Sequence, residues 1–508
     1  MLTNGVIHTC AGPKPVEYLA VSGGRILSVG RGSGRQWQGL RTEVVDLNGK
    51  SVTPGLIDSH IHFLDYAFNL ERVQLVGCKD RGEVLAELRE RARTAEPGEW
   101  IFGRGWRTTQ LGGFPHRKLL DEIFPQNPVV LHSHDEHFRW VNTRALEKCG
   151  ITRAVRVDGG FVGADPDGSA NGILGENAIA LLRPHLPVPD RESRHRALIR
   201  AQQEMHRLGI VGIHSMDANN AFGDLQDLYA QGQLRLRVFH SIPIRQLAQA
   251  VEIGIKTGTG DDWFRFGPVK IFSDGALGPR SAWMLEPYLE TGELGIEILP
   301  EAELTEQVRL ALSGGIAVAV HAIGDRANRQ CLNAFEANAH LLAIPHAASR
   351  IEHAQLLHPD DIPRFAKIGV LASMQPYHAV SDQPLAQRYW GDRARYSYAW
   401  RSLLESNASL LFGSDSPVED PDPLQGLQAA VMRPNWSDRS QTISPEETLL
   451  AYTRTPAYAS GELSRRGTLE RGKLADFTVF SEDPVRAEFR DVRVLGTAIQ
   501  GTFVHRDF

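Results

Sequence analysis

The chain has 508 residues, 42% of them hydrophobic and 23% charged, which is an ordinary balance for a globular protein. Its 55 basic and 61 acidic residues give a formal charge of −6 with no long basic block, so nucleic acid and membranes are not expected partners. Four scattered cysteines, no signal-peptide pattern and no apolar run near the ~18 residues of a membrane helix together favour a cytoplasmic protein without disulfides.

Both ends of the chain show short strands joined by glycine turns. Residues 1–50 contain YLAVSGGRILSVG, and residues 467–505 contain GKLADFTVF and VRVLGTAIQGTFVH. We predict that residues 1–55 and 455–508 form one small discontinuous β-sandwich. The middle, residues 56–454, is then a single domain inserted into it.

The middle of the chain alternates apolar, β-branched runs with helical segments such as EAELTEQVRLALSGG. Eight such runs end in polar residues: 51–62, 209–216, 234–242, 267–274, 315–325, 350–355, 369–376 and 409–415. Eight strands with intervening helices predict the α/β class and a (β/α)8 TIM barrel. The first two runs are too far apart for one helix, so residues of about 75–205 are predicted to be an insertion after the first barrel strand, in the position of a cap.

Six polar side chains lie at or near the C-terminal ends of these runs. They are His60, His62, Lys270, His321, His353 and Asp415. Because the C-terminal ends of barrel strands meet at one mouth, we expect these side chains to become neighbours. Imidazole nitrogens and carboxylate oxygens are good ligands for zinc and related divalent ions. A desolvated lysine can be neutral, and a neutral amine can add carbon dioxide to form a carbamate that bridges two metals.

Each of these residues also has a simpler interpretation. A single histidine at a strand end is more often a core or surface residue than a ligand. Lys270 could pair with Asp274, and Asp415 could cap the segment that follows it. A second histidine group follows an apolar run inside the predicted insertion and competes as a metal site: His132, His134 and His137. The joint pattern of six candidate ligands in chain order on strand ends favours the first group.

Several segments carry a family resemblance, in order and over nearly the whole chain: TPGLIDSHIH, GRGW, WVNTRAL, VKIFSDGALGPRSAW, HAIGDRAN, RIEHAQL, SMQPYHAVSD, FGSDSPVEDPDPL and RGTLERGKLADFTVF. In these the chain resembles the amidohydrolase superfamily, and within it the amidohydrolase family 3 branch of N-substituted formamide deformylase-like enzymes. The resemblance implies a distorted barrel and a divalent metal centre, usually zinc, with one or two ions per chain. It implies that the six residues are the metal ligands, with Lys270 carboxylated, and it favours a homodimer. Two departures, Arg107 after GRGW and Asp135-Glu136-His137 before WVN, concern the substrate pocket.

The expected activity is hydrolysis of a carbon–nitrogen bond in a non-peptide amide or an N-acyl or N-formyl compound. A bound metal lowers the pKa of water to ~7, so a hydroxide can attack the substrate carbonyl. Asp415 is expected to take the proton and pass it to the leaving nitrogen. Five further residues are expected to contact a small-molecule substrate: Trp106, His137, Arg280, Gln375 and His378.

Two alternatives stay open from the sequence. One is a deaminase or cyclic amidase on the same fold, with one metal and an unmodified Lys270. The other is a non-catalytic relative that binds a ligand or regulates.

Overall fold

The computed structural model describes residues 1–134, 137–218, 221–344, 347–486 and 489–508. In chain order the strands are β1 (Leu2–Thr3), β2 (Val6–Ile7), β3 (Tyr18–Ser22), β4 (Arg25–Gly30), β5 (Val45–Asp46), β6 (Ser51–Pro54), β7 (Leu56–Ile61), β8 (Val73–Gln74), β9 (Ile101–Trp106), β10 (Val129–Ser133), β11 (Phe138–Val141), β12 (Arg156–Val157), β13 (Gly160–Ala164), β14 (Ala170–Glu176), β15 (Ile210–Ser215), β16 (Arg237–Pro243), β17 (Phe264–Phe272), β18 (Val318–Ala322), β19 (Arg350–His353), β20 (Leu371–Met374), β21 (Leu410–Phe412), β22 (Phe477–Phe480), β23 (Val494–Ile499) and β24 (Thr502–Arg506). The helices are α1 (Phe63–Asn69), α2 (Arg81–Ala92), α3 (Thr108–Leu111), α4 (Arg117–Ile123), α5 (Thr143–Lys148), α6 (Arg191–Arg207), α7 (Ala221–Ala230), α8 (Leu247–Glu252), α9 (Glu301–Ser313), α10 (Asp325–Ala337), α11 (Ile362–Ile368), α12 (His378–Ser381), α13 (Gln383–Trp390), α14 (Trp400–Glu405), α15 (Pro423–Met432), α16 (Pro445–Tyr452) and α17 (Arg454–Ala459).

Eight parallel strands form a nearly closed barrel in the order β21-β20-β19-β18-β17-β16-β15-β7. Each of the eight predicted apolar runs supplies one of these strands, so the predicted α/β barrel is confirmed. The barrel closes at a seam between its last strand and its first. There the backbone N–H of Asp415 donates to the His60 carbonyl at 2.7 Å, and that of His62 donates to the Ser416 carbonyl at 2.9 Å.

The first predicted run is one strand in the sequence and two in the structure. Strand β6 pairs with β22, whereas β7 pairs with β15 of the barrel. The division falls at Gly55, where a β-carbon would lie 2.5 Å from the side chain of Val211. Only glycine fits such a close approach, so the chain can pass from one sheet to the other there.

The two chain ends build the β-sandwich that the sequence predicts. One sheet has the order β4-β3-β1-β5, and the other, β2-β6-β22-β23-β24, combines strands from both ends. Their shared core draws on both termini: Leu2, Ile7, Leu19, Ile26, Val52, Phe477, Val479 and Ala498.

A buried ion pair lies where barrel strand β16 meets the segment that leads into β22. Arg237 donates to both carboxylate oxygens of Asp476, at 2.6 and 2.9 Å, and both side chains are almost fully buried. The two oxygens of the carboxylate match the guanidinium fork, so the pair is fully hydrogen bonded.

An insertion follows the first barrel strand, as predicted. By its internal contacts the chain divides into Ala67–Ala197 and a second unit, Met1–Tyr66 with Leu198–Phe508. The inserted unit contains a sheet of order β12-β13-β14-β11-β10-β9-β8. The predicted limits of about 75–205 and the role as a cap stay predictions. In the part of the chain that the structure describes, no helix is long and apolar enough to cross a membrane.

Candidate metal centre

Asp415 lies at the centre of a cluster of imidazoles at the barrel mouth. Its Oδ1 is 3.3 Å from Nε2 of His60 and 3.5 Å from Nε2 of His62. Its Oδ2 is 3.3 Å from Nε2 of His378. Among the described residues, four sets of three potential donor atoms lie within 4.8 Å of each other inside each set, and two of these sets contain Asp415: His60–His62–Asp415 and His353–His378–Asp415. Either set could hold a metal ion, and the two sets share the Asp415 carboxylate.

The strand ends bring these side chains to the mouth. His60 lies in β7, His353 is the last residue of β19, and Asp415 follows β21. His353 and Asp415 adopt left-handed backbone conformations, with φ of 71° and 59°. This conformation is uncommon for residues other than glycine and is concentrated at functional sites. It turns the chain as the strand ends, immediately beside the cluster.

His321 is the fourth predicted histidine, and its ring lies 4.5 Å from the ring of His353. Its Nε2 is 2.9 Å from the Gly275 carbonyl oxygen, so Nε2 carries the proton and Nδ1 keeps its lone pair. Burial, together with the charge of Lys270, lowers the pKa of His321 to about 3. His321 is therefore neutral, as a ligand must be, although it belongs to none of the close sets of three donors among the described residues.

Lys270 is buried, and its Nζ has no hydrogen-bond partner among the described residues. Burial lowers its pKa to about 8, and the charges of Glu352 and Asp415 offset part of that effect. The alternative pairing with Asp274 is not formed. The Asp274 carboxylate instead accepts backbone N–H groups of Ile323 and Gly324 at 3.0 and 2.8 Å, and of Trp283 at 2.9 Å.

The side chains present fit a divalent cation. Burial lowers the pKa of His353 well below its usual value, and its Nδ1 is a buried polar atom without a partner among the described residues. Burial would raise the pKa of Asp415, but His60 and the surrounding hydrogen bonds outweigh it and hold that pKa well below its usual range. The neutral imidazoles of His321 and His353 beside an ionised carboxylate suit zinc, and a cation would use the His353 lone pair left without a partner.

Glu352 and Arg350 belong to the site but were not predicted. Glu352 is fully buried, accepts a hydrogen bond from Nδ1 of His60 at 2.7 Å and accepts another from Nε of Arg350 at 2.5 Å. Burial would raise the pKa of Glu352, but Arg350 and His60 hold it well below its usual value. The available signal in the sequence was one acid and one base, Glu352 and Arg350, within the short strand RIEH, all of whose residues are buried.

Three predicted substrate-binding residues lie in the same unit as the barrel: His378 contacts Asp415, Gln375 follows strand β20, and Arg280 follows strand β17. His378 bridges Asp415 and Glu419, with Nδ1 3.3 Å from Glu419 Oε1. Burial lowers the pKa of His378, but the hydrogen bonds with the two carboxylates outweigh it and raise the pKa to about 10. Gln375 follows β20 and is buried, with Nε2 lacking a partner among the described residues. Arg280 has a left-handed backbone, and its guanidinium lies 5.5 Å from the centre of the Tyr389 ring.

The other predicted residues lie in the inserted unit. Trp106 is fully buried there and donates from Nε1 to the Leu131 carbonyl at 3.0 Å. His137 is exposed, with Nδ1 3.0 Å from Glu176. The substrate roles of both stay predictions. Among the described residues, the competing group supplies no close set of three metal donors: His132, His134 and His137. Asp135 and Glu136, between them, lie outside the described residues.

Comparison with known proteins agrees with the geometry. Residues 43–505 match the model of the amidohydrolase family. The chain is 33% identical to the Arabidopsis thaliana protein LONG AFTER FAR-RED 3, over 99% of this chain and 90% of that one. It is 26% identical to an N-substituted formamide deformylase of Arthrobacter pascens, over 99% of this chain and 97% of that enzyme. The crystal structure of an uncharacterized metal-dependent hydrolase from Pyrococcus furiosus superimposes with a TM-score of 0.80 at 30% identity, covering 96% of this chain and 99% of that one. With a family match over most of its length, the chain belongs to the amidohydrolase family.

Proposed function

We propose that the protein is a metal-dependent hydrolase that cleaves a carbon–nitrogen bond in a small non-peptide amide, of the N-formyl or N-acyl amine class. The observation that carries this proposal is the position of Asp415, with one oxygen beside His60 and His62 and the other beside His378. A buried carboxylate between two sets of potential metal ligands can both bind a cation and exchange a proton with the reacting atoms.

The proposed ligands are His60, His62, Lys270, His321, His353 and Asp415, holding one or two zinc ions. When bound, the metal acts as a Lewis acid that makes water acidic and polarises a carbonyl oxygen. Asp415 accepts a proton from the attacking water and delivers it to the leaving nitrogen. The transfer is required because an unprotonated amine anion is a very poor leaving group. His378, held by Glu419, donates from Nε2 to Asp415 and so orients the carboxylate.

Carboxylation of Lys270 is part of the proposal. The ammonium first loses one proton to give the neutral amine, and addition of carbon dioxide to that amine releases a second proton, so the buried cation becomes a carbamate anion with two oxygens that could bind a metal. Two features favour this reaction: Nζ has no hydrogen-bond partner among the described residues, and the lowered pKa increases the neutral fraction of the amine. Exchange with 13C-labelled bicarbonate and detection of a carbamate signal by 13C NMR test this step, with Lys270→Met as the control that must lose the signal.

The substrate class is supported by the name of the Arthrobacter pascens relative, which acts on N-substituted formamides and aligns over nearly the whole chain. The test is a panel of N-substituted formamides, N-acyl amines and N-acyl amino acids, assayed beside metal analysis of the same sample. We expect turnover of at least one N-formyl or N-acyl amine and its loss in His60→Ala. A fully metallated protein that is inert on the whole panel, with one ion per chain and an unmodified Lys270, would instead favour the deaminase or cyclic amidase alternative.

A further inference from the structure

Glu352 connects a predicted metal ligand to a fixed cation inside the barrel. Its Oε2 accepts from Nδ1 of His60 at 2.7 Å and its Oε1 accepts from Nε of Arg350 at 2.5 Å. All three side chains are at most 1% exposed, so water does not compete for these hydrogen bonds. The arrangement lies behind His60, on the side of its ring opposite to Nε2 and Asp415.

Arg350 is held in place by further contacts. Its Nη1 is 2.7 Å from Nδ1 of His214, and its Nη2 donates to the Ser59 carbonyl at 3.3 Å. A guanidinium can only donate hydrogen bonds, so each of these partners must accept. Arg350 therefore cannot turn away from Glu352 without losing several buried hydrogen bonds. As a result, one oxygen of Glu352 accepts from the Nε–H of Arg350 in the folded protein.

The donor and acceptor count then determines the state of His60. Arg350 occupies one carboxylate oxygen as a donor, and the second oxygen can accept only from an N–H of His60. His60 must therefore carry a proton on Nδ1, so Nε2, which lies 3.3 Å from Asp415 Oδ1, is the ring nitrogen left to bind a cation. A hydrogen bond from the second nitrogen to a carboxylate also makes a ligating imidazole more basic.

We propose that Glu352 is a positioning residue that holds His60 in the Nδ1-protonated form and thereby sets the affinity of the centre for a divalent cation. This inference rests on the proposed function, since it assumes that His60 is a metal ligand. Glu352 itself touches neither the cation nor the substrate in this scheme. Its effect is to keep Nε2 of His60 available as a ligand.

Glu352→Gln tests this directly because an amide has one acceptor where the carboxylate has two. If the amide oxygen faces Arg350, its NH2 group faces His60 and favours the form protonated on Nε2, which cannot bind a metal. The measurement is the dissociation constant of Zn2+ for metal-free full-length protein, by competition with a chromophoric chelator. We expect affinity to fall by about 10- to 100-fold.

The matched control is Asp476→Asn. It makes the same carboxylate-to-amide change in another buried arginine pair, with Arg237, whose hydrogen-bond partners include no predicted ligand. We expect this control to lose stability but to bind Zn2+ as the unmodified protein does. Equal Zn2+ affinity in Glu352→Gln and the unmodified protein, or an equal loss in Asp476→Asn, would overturn the inference.

A double variant, Arg350→Met with Glu352→Gln, distinguishes an effect on the His60 tautomer from an effect on folding. Without the Arg350 donor, the amide oxygen is free to accept from Nδ1 of His60, and the Arg350–Glu352 ion pair is removed as a whole rather than broken. We expect Zn2+ affinity within about fivefold of the unmodified protein. If Glu352→Gln does not fold, this variant decides the question, and a loss as large as about 100-fold would overturn the inference. Unmodified protein that binds no divalent cation at all would overturn the proposed function as well.

Discussion

Replacing Lys270 with methionine is expected to stabilise the metal-free protein near neutral pH while abolishing hydrolysis. Methionine keeps an unbranched side chain of similar length without the charge. Burial lowers the pKa of Lys270 from an ordinary value of 10.5 to about 8. One pKa unit corresponds to about 1.4 kcal/mol, so a charged Lys270 at neutral pH costs the folded state about 3 kcal/mol.

The pH dependence of this effect has a definite sign. The unfolded chain keeps the Lys270 proton up to about pH 10.5, whereas the folded protein releases it near pH 8. Between these values the unfolded state binds more protons, so the free energy of unfolding of the unmodified protein rises with pH. Relative to the methionine variant, the unmodified protein should gain about 2.5 kcal/mol between pH 7 and pH 10.

Urea denaturation of both metal-free proteins across this pH range is the assay, in bicarbonate-free buffer so that no carbamate forms. The matched control is Lys367→Met, because the Lys367 side chain is 75% exposed. We expect no pH-dependent difference there. If Lys270→Met is less stable than the unmodified protein at pH 7, or if the difference does not change with pH, the reasoning about a buried, unpaired amine is refuted.

Three further outcomes are expected. Removing the metal with a chelator should abolish hydrolysis and adding Zn2+ should restore it, as followed by metal analysis and turnover; activity that survives complete removal contradicts a metal-dependent reaction. Asp415→Asn should lower kcat by about 10²- to 10⁴-fold, and a variant with unchanged kcat excludes the proton transfer assigned to this residue. Ser444→Ala removes a capping box at the start of α16, in which Ser444 and Glu447 each accept the other's backbone N–H, at 3.1 and 2.7 Å. It should lower the free energy of unfolding by about 1 kcal/mol with kcat unchanged, and no measurable loss would show that the cap is not formed.

The sequence was sufficient for the barrel because its signal is local. Each apolar run contains its own strand, and its C-terminal polar residue is found at the mouth through the general geometry of barrels. His60 and Asp415 are far apart along the sequence of the barrel domain, yet they could be assigned to one site from the sequence alone. Their role as metal ligands stays a prediction.

The parts that were missed depend on contacts between distant segments. Glu352 is next to the predicted ligand His353 in the sequence. Its role in the site, however, depends on a hydrogen bond with His60, which is distant in the sequence. The change of sheet at Gly55 depends on the approach of Val211 from the second barrel strand. Neither contact produces a periodic pattern in the sequence, because each is one contact between two distant segments and does not repeat along a helix or strand.

The seam has a consequence for how the protein is made. His60 emerges from the ribosome early, whereas Asp415, which binds to its backbone and completes the imidazole cluster, is synthesised only after most of the barrel domain. A partly synthesised chain therefore holds the histidines of its first strand without the carboxylate that joins them to the others. We therefore expect a chain that is truncated before Asp415 to lack the proposed catalytic carboxylate even when most of the barrel strands are present.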